Sequence, residues 1–290
     1  MVLRLVEAAG GRKLAVETSG DPYGRPVFLL HGTPGSRVGP VPRSSVLARL
    51  GMRLISFDRP GYGESARMPG RRVAAAAEDV AAIADAFGLD GFAVLGRSGG
   101  GPHALACAAL LPDRVERVAA LVSLAPRHAD GLDWYGGMTR SNVREYTDVE
   151  RGEEHFVDTF RFRSGLIRDN PHALINDLVP ELPPTDRALV SDAGIRRMLL
   201  ATYQEAFRYG ADGWIDDVLA FTAPWGFDVE SIAAPTRLWH GADDQFSPVD
   251  HSRWLADHIP RADLYLEPGA AHFGALKVMT EALKWAAGWP

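Results

Sequence analysis

The chain has 290 residues, of which 46% are hydrophobic, and a formal net charge of −6. That length accommodates two average domains, or one large α/β core with an insertion. No basic block or stripe stands out among the interspersed acids, which argues against nucleic acid as a partner, and no uncharged apolar run of about 18 residues is available to span a membrane.

Residues 2–7 and 13–19 read as two strands joined by the turn Ala9-Gly10-Gly11-Arg12. The first of them lacks the apolar core of a secretion signal, so a soluble cytoplasmic protein is expected. Short apolar runs then appear at Val27–Leu30, Arg53–Phe57, Phe92–Leu95 and Val118–Leu124. Helix-like stretches near 40–50, 72–88 and 101–111 separate them. Alternation of this kind builds βαβ units and a mostly parallel sheet. Cys107, in the third helical stretch, is the single cysteine, so no intrachain disulfide forms; it reads as a buried, inert thiol.

The rhythm stops at Ala125-Pro126. From about 127 to 224 no strand is evident. Helical spacing shows in Ile195, Met198, Leu199, Thr202, Tyr203, Ala206 and Phe207, and Pro180, Pro183, Pro184 and Pro224 punctuate the stretch. The expectation is a core of residues 1–125 and 225–290, with residues 126–224 inserted as a helical cap. Beyond it come a strand at 235–240, a helix near 249–258, a strand near 262–266 and a closing helix near 274–287.

Four loops that follow apolar runs carry chemistry. His31-Gly32-Thr33-Pro34-Gly35-Ser36 follows Leu30, and Gly96-Arg97-Ser98-Gly99-Gly100 follows Leu95 and opens onto a helix. Gly241-Ala242-Asp243-Asp244 leads to Pro248, and Pro268-Gly269-Ala270-Ala271-His272-Phe273 follows the last strand. A G-x-S-x-G string between a strand and a helix is what a nucleophile elbow requires, because small residues leave room for a tight turn that presents a hydroxyl. A serine hydroxyl is a poor nucleophile at neutral pH and needs a base in hydrogen-bond reach.

Together the four loops resemble the α/β-hydrolase superfamily over the whole core. The resemblance implies an α/β-hydrolase fold, a mostly parallel central sheet flanked by helices. It also implies Ser98 as nucleophile, His272 as base, Asp244 as the acid that orients it, and an oxyanion hole from the N–H groups of Thr33 and Gly99. The order Ser98, Asp244, His272 is the order this fold uses. The turn Asp58-Arg59-Pro60-Gly61-Tyr62-Gly63-Glu64-Ser65 also resembles a family turn and is given a structural role.

Several positions carry two readings. Asp243 competes with Asp244; spacing favours Asp244, three residues after Gly241 and four before Pro248. Asp130 and Asp133 are rivals, since some family members draw the acid from the strand ending near Leu124. His240 and His103 lack the loop position of His272, and His31 is expected to hold its own loop by hydrogen bonding. Arg97 either receives an anionic substrate or lays its stem along the sheet top with its head in solvent. Trp134, Tyr135, Phe156, Phe160 and Phe162 either line a substrate pocket or form core; Trp134 and Tyr135 are the ones taken, with Arg97, as candidate substrate-binding residues.

No metal or cofactor is expected: the chain has no H-E-x-x-H, one cysteine builds no thiolate site, and Gly99-Gly100-Gly101 is not followed by a Gly-Lys-Ser/Thr phosphate loop. The expected partner is a small-molecule substrate, and oligomeric state is left open. The leading expectation is a serine hydrolase acting on a small carboxylic ester or related acyl bond through an acyl-enzyme. His31-Gly32-Thr33-Pro34-Gly35 also resembles the H-G-G-P-G of proline iminopeptidases, although Thr33 replaces a glycine and Arg97 departs from their G-G-S-W-G elbow. C–C bond hydrolases share the triad, and a lyase, cyclase or ligand-binding protein on the same fold is the alternative of another class.

Overall fold

The two N-terminal runs form a hairpin of β1 (Val2–Ala8) and β2 (Arg12–Gly20), with Val6 opposite Leu14. Gly10 and Gly11 turn the chain at φ 72° and 75°, a region in which a side chain would be strained. Six further strands follow: β3 (Arg25–Leu30), β4 (Met52–Phe57), β5 (Phe92–Arg97), β6 (Val115–Leu121), β7 (Thr236–Gly241) and β8 (Ala262–Glu267). In the computed structural model, which describes residues 2–152 and 155–289, they make one sheet in the order β1-β2-β4-β3-β5-β6-β7-β8. The pairings β1–β2 and β2–β4 are antiparallel, and all others are parallel.

Parallel central strands are covered on both faces, which is why the first four residues of β5, Phe92–Leu95, are all apolar. Phe92 and Val94 point into the larger core cluster, with residues of α2 (Ala75–Ala86), α3 (Gly100–Leu110) and α10 (Asp250–His258). Ala93 and Leu95 point the other way, with residues of α1 (Ser44–Arg49) and α11 (Ala275–Ala286). Each large apolar side chain sealed in these layers contributes about 1.5–3 kcal/mol. All catalytically suggestive loops leave the sheet at the carboxyl ends of β3, β5, β7 and β8, which is where open α/β sheets hold ligands.

Between β6 and β7 the chain makes α4 (Arg140–Glu150), α5 (His155–Asp169), α6 (His172–Leu178), α7 (Pro184–Ser191), α8 (Ala193–Ala206) and α9 (Asp212–Thr222), with no strand among the described residues. Local signals fix their starts. Thr139 caps α4 by accepting from the Asn142 N–H, and Asp192 caps α8 by accepting from Gly194 and Ile195. Leu199, Tyr203, Trp214, Ile215, Val218 and Phe221 of these helices join the larger core cluster.

Most strands shift from their expected bounds by one or two residues, and β6 shifts most. The apolar run suggested 118–124, but β6 ends at Leu121 because Val122 takes φ 47°, outside any strand conformation. It starts earlier, at Val115, where pairing to Phe92 recruits the polar Glu116 and Arg117 that hydropathy alone passes over.

Candidate active site

Ser98 follows the last residue of β5 and has φ 54°, a left-handed conformation that costs a non-glycine residue about 1–3 kcal/mol. Its N–H donates to Leu121 O at 2.8 Å, and its carbonyl accepts from Gly101 N at 2.8 Å, so neighbouring backbone holds the turn. Only glycine fits at two flanking positions. A Cβ on Gly96 would lie 2.1 Å from Gly100 O, and one on Gly100 would lie 2.2 Å from Leu30 O. Strain and crowding together leave the serine hydroxyl projecting beyond the sheet.

His272 Nε2 stands 3.0 Å from Ser98 Oγ, and His272 Nδ1 stands 2.8 Å from Asp244 Oδ2. A carboxylate accepts only, so Nδ1 carries the proton and Nε2 is free to accept from the serine. Asp244 Oδ1 accepts from the N–H groups of Phe246 (2.8 Å) and Ser247 (3.1 Å). Burial works against its charge, but His272 and His240 outweigh burial and hold the carboxyl well below the ordinary carboxylate range.

The rivals lie elsewhere. Asp243, Asp130 and Asp133 are exposed, whereas Asp244 is buried. His240 is buried between Ser252 Oγ and Ser247 O, each at 2.6 Å, and touches Asp244 from behind at 3.3 Å. His31 bonds Gly32 O through Nδ1 at 2.8 Å and accepts Arg59 N at Nε2, fixing its own loop. His103 Nδ1 bonds Gly99 O at 2.7 Å; burial and the nearby Arg59 push its pKa down to about 3, so it stays neutral.

Gly99 and Thr33 face each other across the gap between elbow and β3 loop: a Cβ on Gly99 would lie 2.2 Å from Thr33 Oγ1. Among the described residues neither of their N–H groups has a protein acceptor. Behind Thr33 sits a buried charge cluster centred on Asp217 of α9. Its Oδ2 accepts from Thr33 Oγ1 and Arg59 Nη2, both at 2.5 Å, and from Tyr62 OH at 2.9 Å; its Oδ1 accepts from Arg71 Nη2 at 2.5 Å. Arg59 also donates to His31 O and Gly32 O. Burial opposes the Asp217 charge, but Arg59 and Arg71 overcome it and keep the carboxyl far below its ordinary pKa.

A cavity of about 90 Å³, room for several waters or a small ligand, opens over Ser98. Its lining includes Thr33, Pro34, Arg97, Gly99, His272 and Phe273 from the sheet side, and Asn142, Glu145, Tyr146, Arg163, Tyr203, Trp214, Val218 and Phe221 from the inserted helices. Trp134 and Tyr135 are not among the described lining residues, contrary to expectation. Trp134 is sealed into the core, donating Nε1–H to Ala125 O at 2.9 Å and meeting Tyr135, Tyr146 and His251 edge-on. Phe160 packs on Trp214 and Phe156, and Phe162 faces solvent, so these aromatics are core or surface.

Residues 25–277 match the family model of the alpha/beta hydrolase fold. The chain belongs to the α/β-hydrolase fold family. Among relatives of this α/β-hydrolase, 2-hydroxymuconate semialdehyde hydrolase of Pseudomonas putida is 26% identical over 91% of this chain and 86% of its own. The pimeloyl-[acyl-carrier protein] methyl ester esterase of Chromobacterium violaceum is 29% identical over 89% of this chain and 91% of its own. A solved hydrolase from Pseudomonas aeruginosa superposes with a TM-score of 0.71 at 19% identity, covering 99% of this chain and 98% of its own. Family and relatives identify an enzyme of the hydrolase class. No helix among the described residues is long and apolar enough to cross a membrane.

Sequence reasoning about this α/β-hydrolase missed Asp217, Arg71 and the reach of Arg59 toward the β3 loop. One signal was available for Asp217. It falls inside the helical run Trp214-Ile215-Asp216-Asp217-Val218-Leu219, where a carboxylate on the apolar face demands a buried cation.

Proposed function

We propose that this enzyme is a serine hydrolase that cleaves small-molecule carboxylic esters or related acyl bonds through an acyl-enzyme. The observation that carries the reading is the continuous hydrogen-bonded chain Ser98 Oγ, His272, Asp244, with each contact between 2.8 and 3.0 Å. As Ser98 Oγ bonds to the carbonyl carbon, its proton passes to His272 Nε2, and Asp244 stabilises the imidazolium without taking a proton. The carbonyl oxygen becomes an oxyanion, for which the N–H groups of Thr33 and Gly99 are the free donors, each worth about 3 kcal/mol of barrier. His272 then gives its proton to the leaving alkoxide. A water, deprotonated by the same imidazole, releases the acid and restores the serine.

Residues 126–224 act in this reading as a cap that walls the cavity and selects the substrate. The esterase among the relatives supports the choice of an ester. Serine at the elbow, where enzymes attacking epoxides and haloalkanes use a carboxylate, argues against those chemistries.

Incubation with a fluorophosphonate followed by peptide mass spectrometry tests the reading. Ser98 is expected to carry the label, and Ser98→Ala is expected to abolish both labelling and p-nitrophenyl ester hydrolysis. A folded protein that leaves Ser98 unlabelled overturns it.

A further inference from the structure

The other buried or half-buried arginines that frame this end of the sheet have carboxylate partners. Arg37 is paired with Asp58 and Glu205, Arg59 and Arg71 with Asp217, and Arg163, the second guanidinium lining the cavity, with Glu145. Arg97 has none. Its Nη1 is buried without a hydrogen-bond partner, and among the described residues no carboxylate forms an ion pair with it. Burial lowers its pKa, with only longer-range support for the charge from Tyr203, Asp186 and Asp244.

The position of this group matters as much as its lack of a partner. Arg97 is the residue immediately before Ser98 and lines the same cavity as Ser98, His272 and Tyr203. Its Nη2 lies 3.3 Å from where a Cβ on Gly32 would stand, and its Cζ lies 6.0 Å from the Phe273 ring centroid. The guanidinium is thus wedged between the β3 loop and the histidine loop, the two segments that flank a substrate on Ser98. Its Nη1 is shut off from solvent, where a stem packed along the sheet top would leave the whole head exposed. A half-buried, unpaired cation is costly, and an anion delivered by a ligand reduces that cost through charge-assisted hydrogen bonds to the guanidinium fork.

We propose that Arg97 receives a carboxylate carried by the substrate, so that this hydrolase favours small anionic esters over neutral ones of the same shape. The proposal rests on the serine-hydrolase reading for its reaction, though not for its binding site. A carboxylate on the acyl part and one on the leaving part are both compatible with a guanidinium beside the nucleophile, and the two substrate arms below tell them apart.

The first arm compares p-nitrophenyl hydrogen succinate with p-nitrophenyl isocaproate, its neutral shape match. The second compares p-carboxyphenyl butyrate with p-carbamoylphenyl butyrate. In at least one arm the wild type is expected to favour the anionic ester in kcat/KM, and Arg97→Met is expected to reduce that anionic-to-neutral ratio by about 10- to 100-fold, the scale of a charge-assisted contact. Arg97→Lys, which keeps the charge without the fork, should recover part of the ratio. Calorimetry supplies a readout that needs no turnover. Ser98→Ala protein should bind monomethyl succinate, and adding Arg97→Met should weaken that binding by about tenfold or more. Circular dichroism and a melting curve check that each variant is folded.

If Ser98 is labelled and neutral esters are cleaved while neither ratio nor binding responds to Arg97, the anion site is overturned and the nucleophile stands. If Ser98 resists labelling while monomethyl succinate binding depends on Arg97, the nucleophile is overturned and the anion site stands.

Discussion

Thr33, in the loop after β3, donates its hydroxyl to Asp217 of the inserted helix α9 at 2.5 Å, across 184 positions of sequence. The same carboxylate holds Arg59 and Arg71, and Arg59 reaches the carbonyls of His31 and Gly32. Helix α9 therefore braces the loop that carries the Thr33 N–H, which has no protein acceptor among the described residues. Asp217→Ala leaves two buried guanidinium groups without their counter-ion, a change of a kind that costs about 3–5 kcal/mol. Urea unfolding should register a loss of that size. Because Thr33 loses its anchor, kcat on a p-nitrophenyl ester should also fall in the fraction that remains folded. A variant with wild-type stability would remove the carboxylate from this bracing role.

Gly99 is the tightest point of the same arrangement. A methyl group there would lie 2.2 Å from Thr33 Oγ1 and 3.0 Å from the Phe221 ring, so the β3 loop must retreat to accommodate it. Gly99→Ala should therefore misplace the Thr33 donor and lower kcat by about 10²- to 10³-fold, the usual effect of losing one oxyanion donor. Ser98, His272 and Asp244 are untouched by the change. Steady-state kinetics should show the loss mainly in kcat, and unaltered turnover would mean that Thr33 takes no part in the reaction.

The parts of this arrangement that the sequence makes legible are those fixed by local rules. The strand, turn and helix around Ser98 follow from an apolar run, small residues and a helical pattern within about twenty positions, and the loops bearing Asp244 and His272 follow strands in the same way. The bracing cluster is legible only in part, because Asp217 meets Thr33, Arg59 and Arg71 through tertiary packing that no local period records. The setting of Trp134 escapes a local reading for a related reason. An aromatic side chain in the turn before α4 faces either a pocket or the core, and only the packing of Trp134 on Tyr146 and His251 decides between them. Arg97 is the sharpest case. Its position beside Ser98 is plain from the chain, but the lack of a counter-ion among the described residues is a property of everything folded around it.

Asp243 and Asp244 are adjacent and differ completely in setting. Asp244 is buried and bonded to His272, Phe246 and Ser247, while Asp243 faces solvent. Asp244→Asn keeps the shape and removes the charge that fixes the Nδ1–H tautomer of His272, for which serine proteases lose about 10⁴-fold in kcat. A fall of that order is expected here, whereas Asp243→Asn should stay within about twofold of wild type, as exposed substitutions away from a site do. Comparable losses in the two variants would refute the assignment of Asp244.

Acid should act on this fold through buried neutral histidines, and His251 allows the effect to be isolated. Its Nδ1 accepts the Ala125 N–H and its Nε2 donates to Trp134 O, both at 3.0 Å, and burial pushes its pKa down to about 4. The folded value lies below the unfolded value of about 6.5, so as pH falls below 6.5 the unfolded chain takes up the proton first. Stability from His251 is therefore complete above about pH 6.5 and is lost toward pH 4, at about 1.4 kcal/mol per pH unit. Buried Asp58, raised to about 6 by burial, works in the opposite direction, so the stability of the wild type alone mixes the two effects. Subtraction removes the mixture, because glutamine does not titrate while Asp58 is common to both proteins. Between pH 7 and pH 5 the wild type should lose about 2 kcal/mol relative to His251→Gln, measured by urea unfolding at each pH. A difference that stays flat over that range would show that His251 titrates normally in the folded protein.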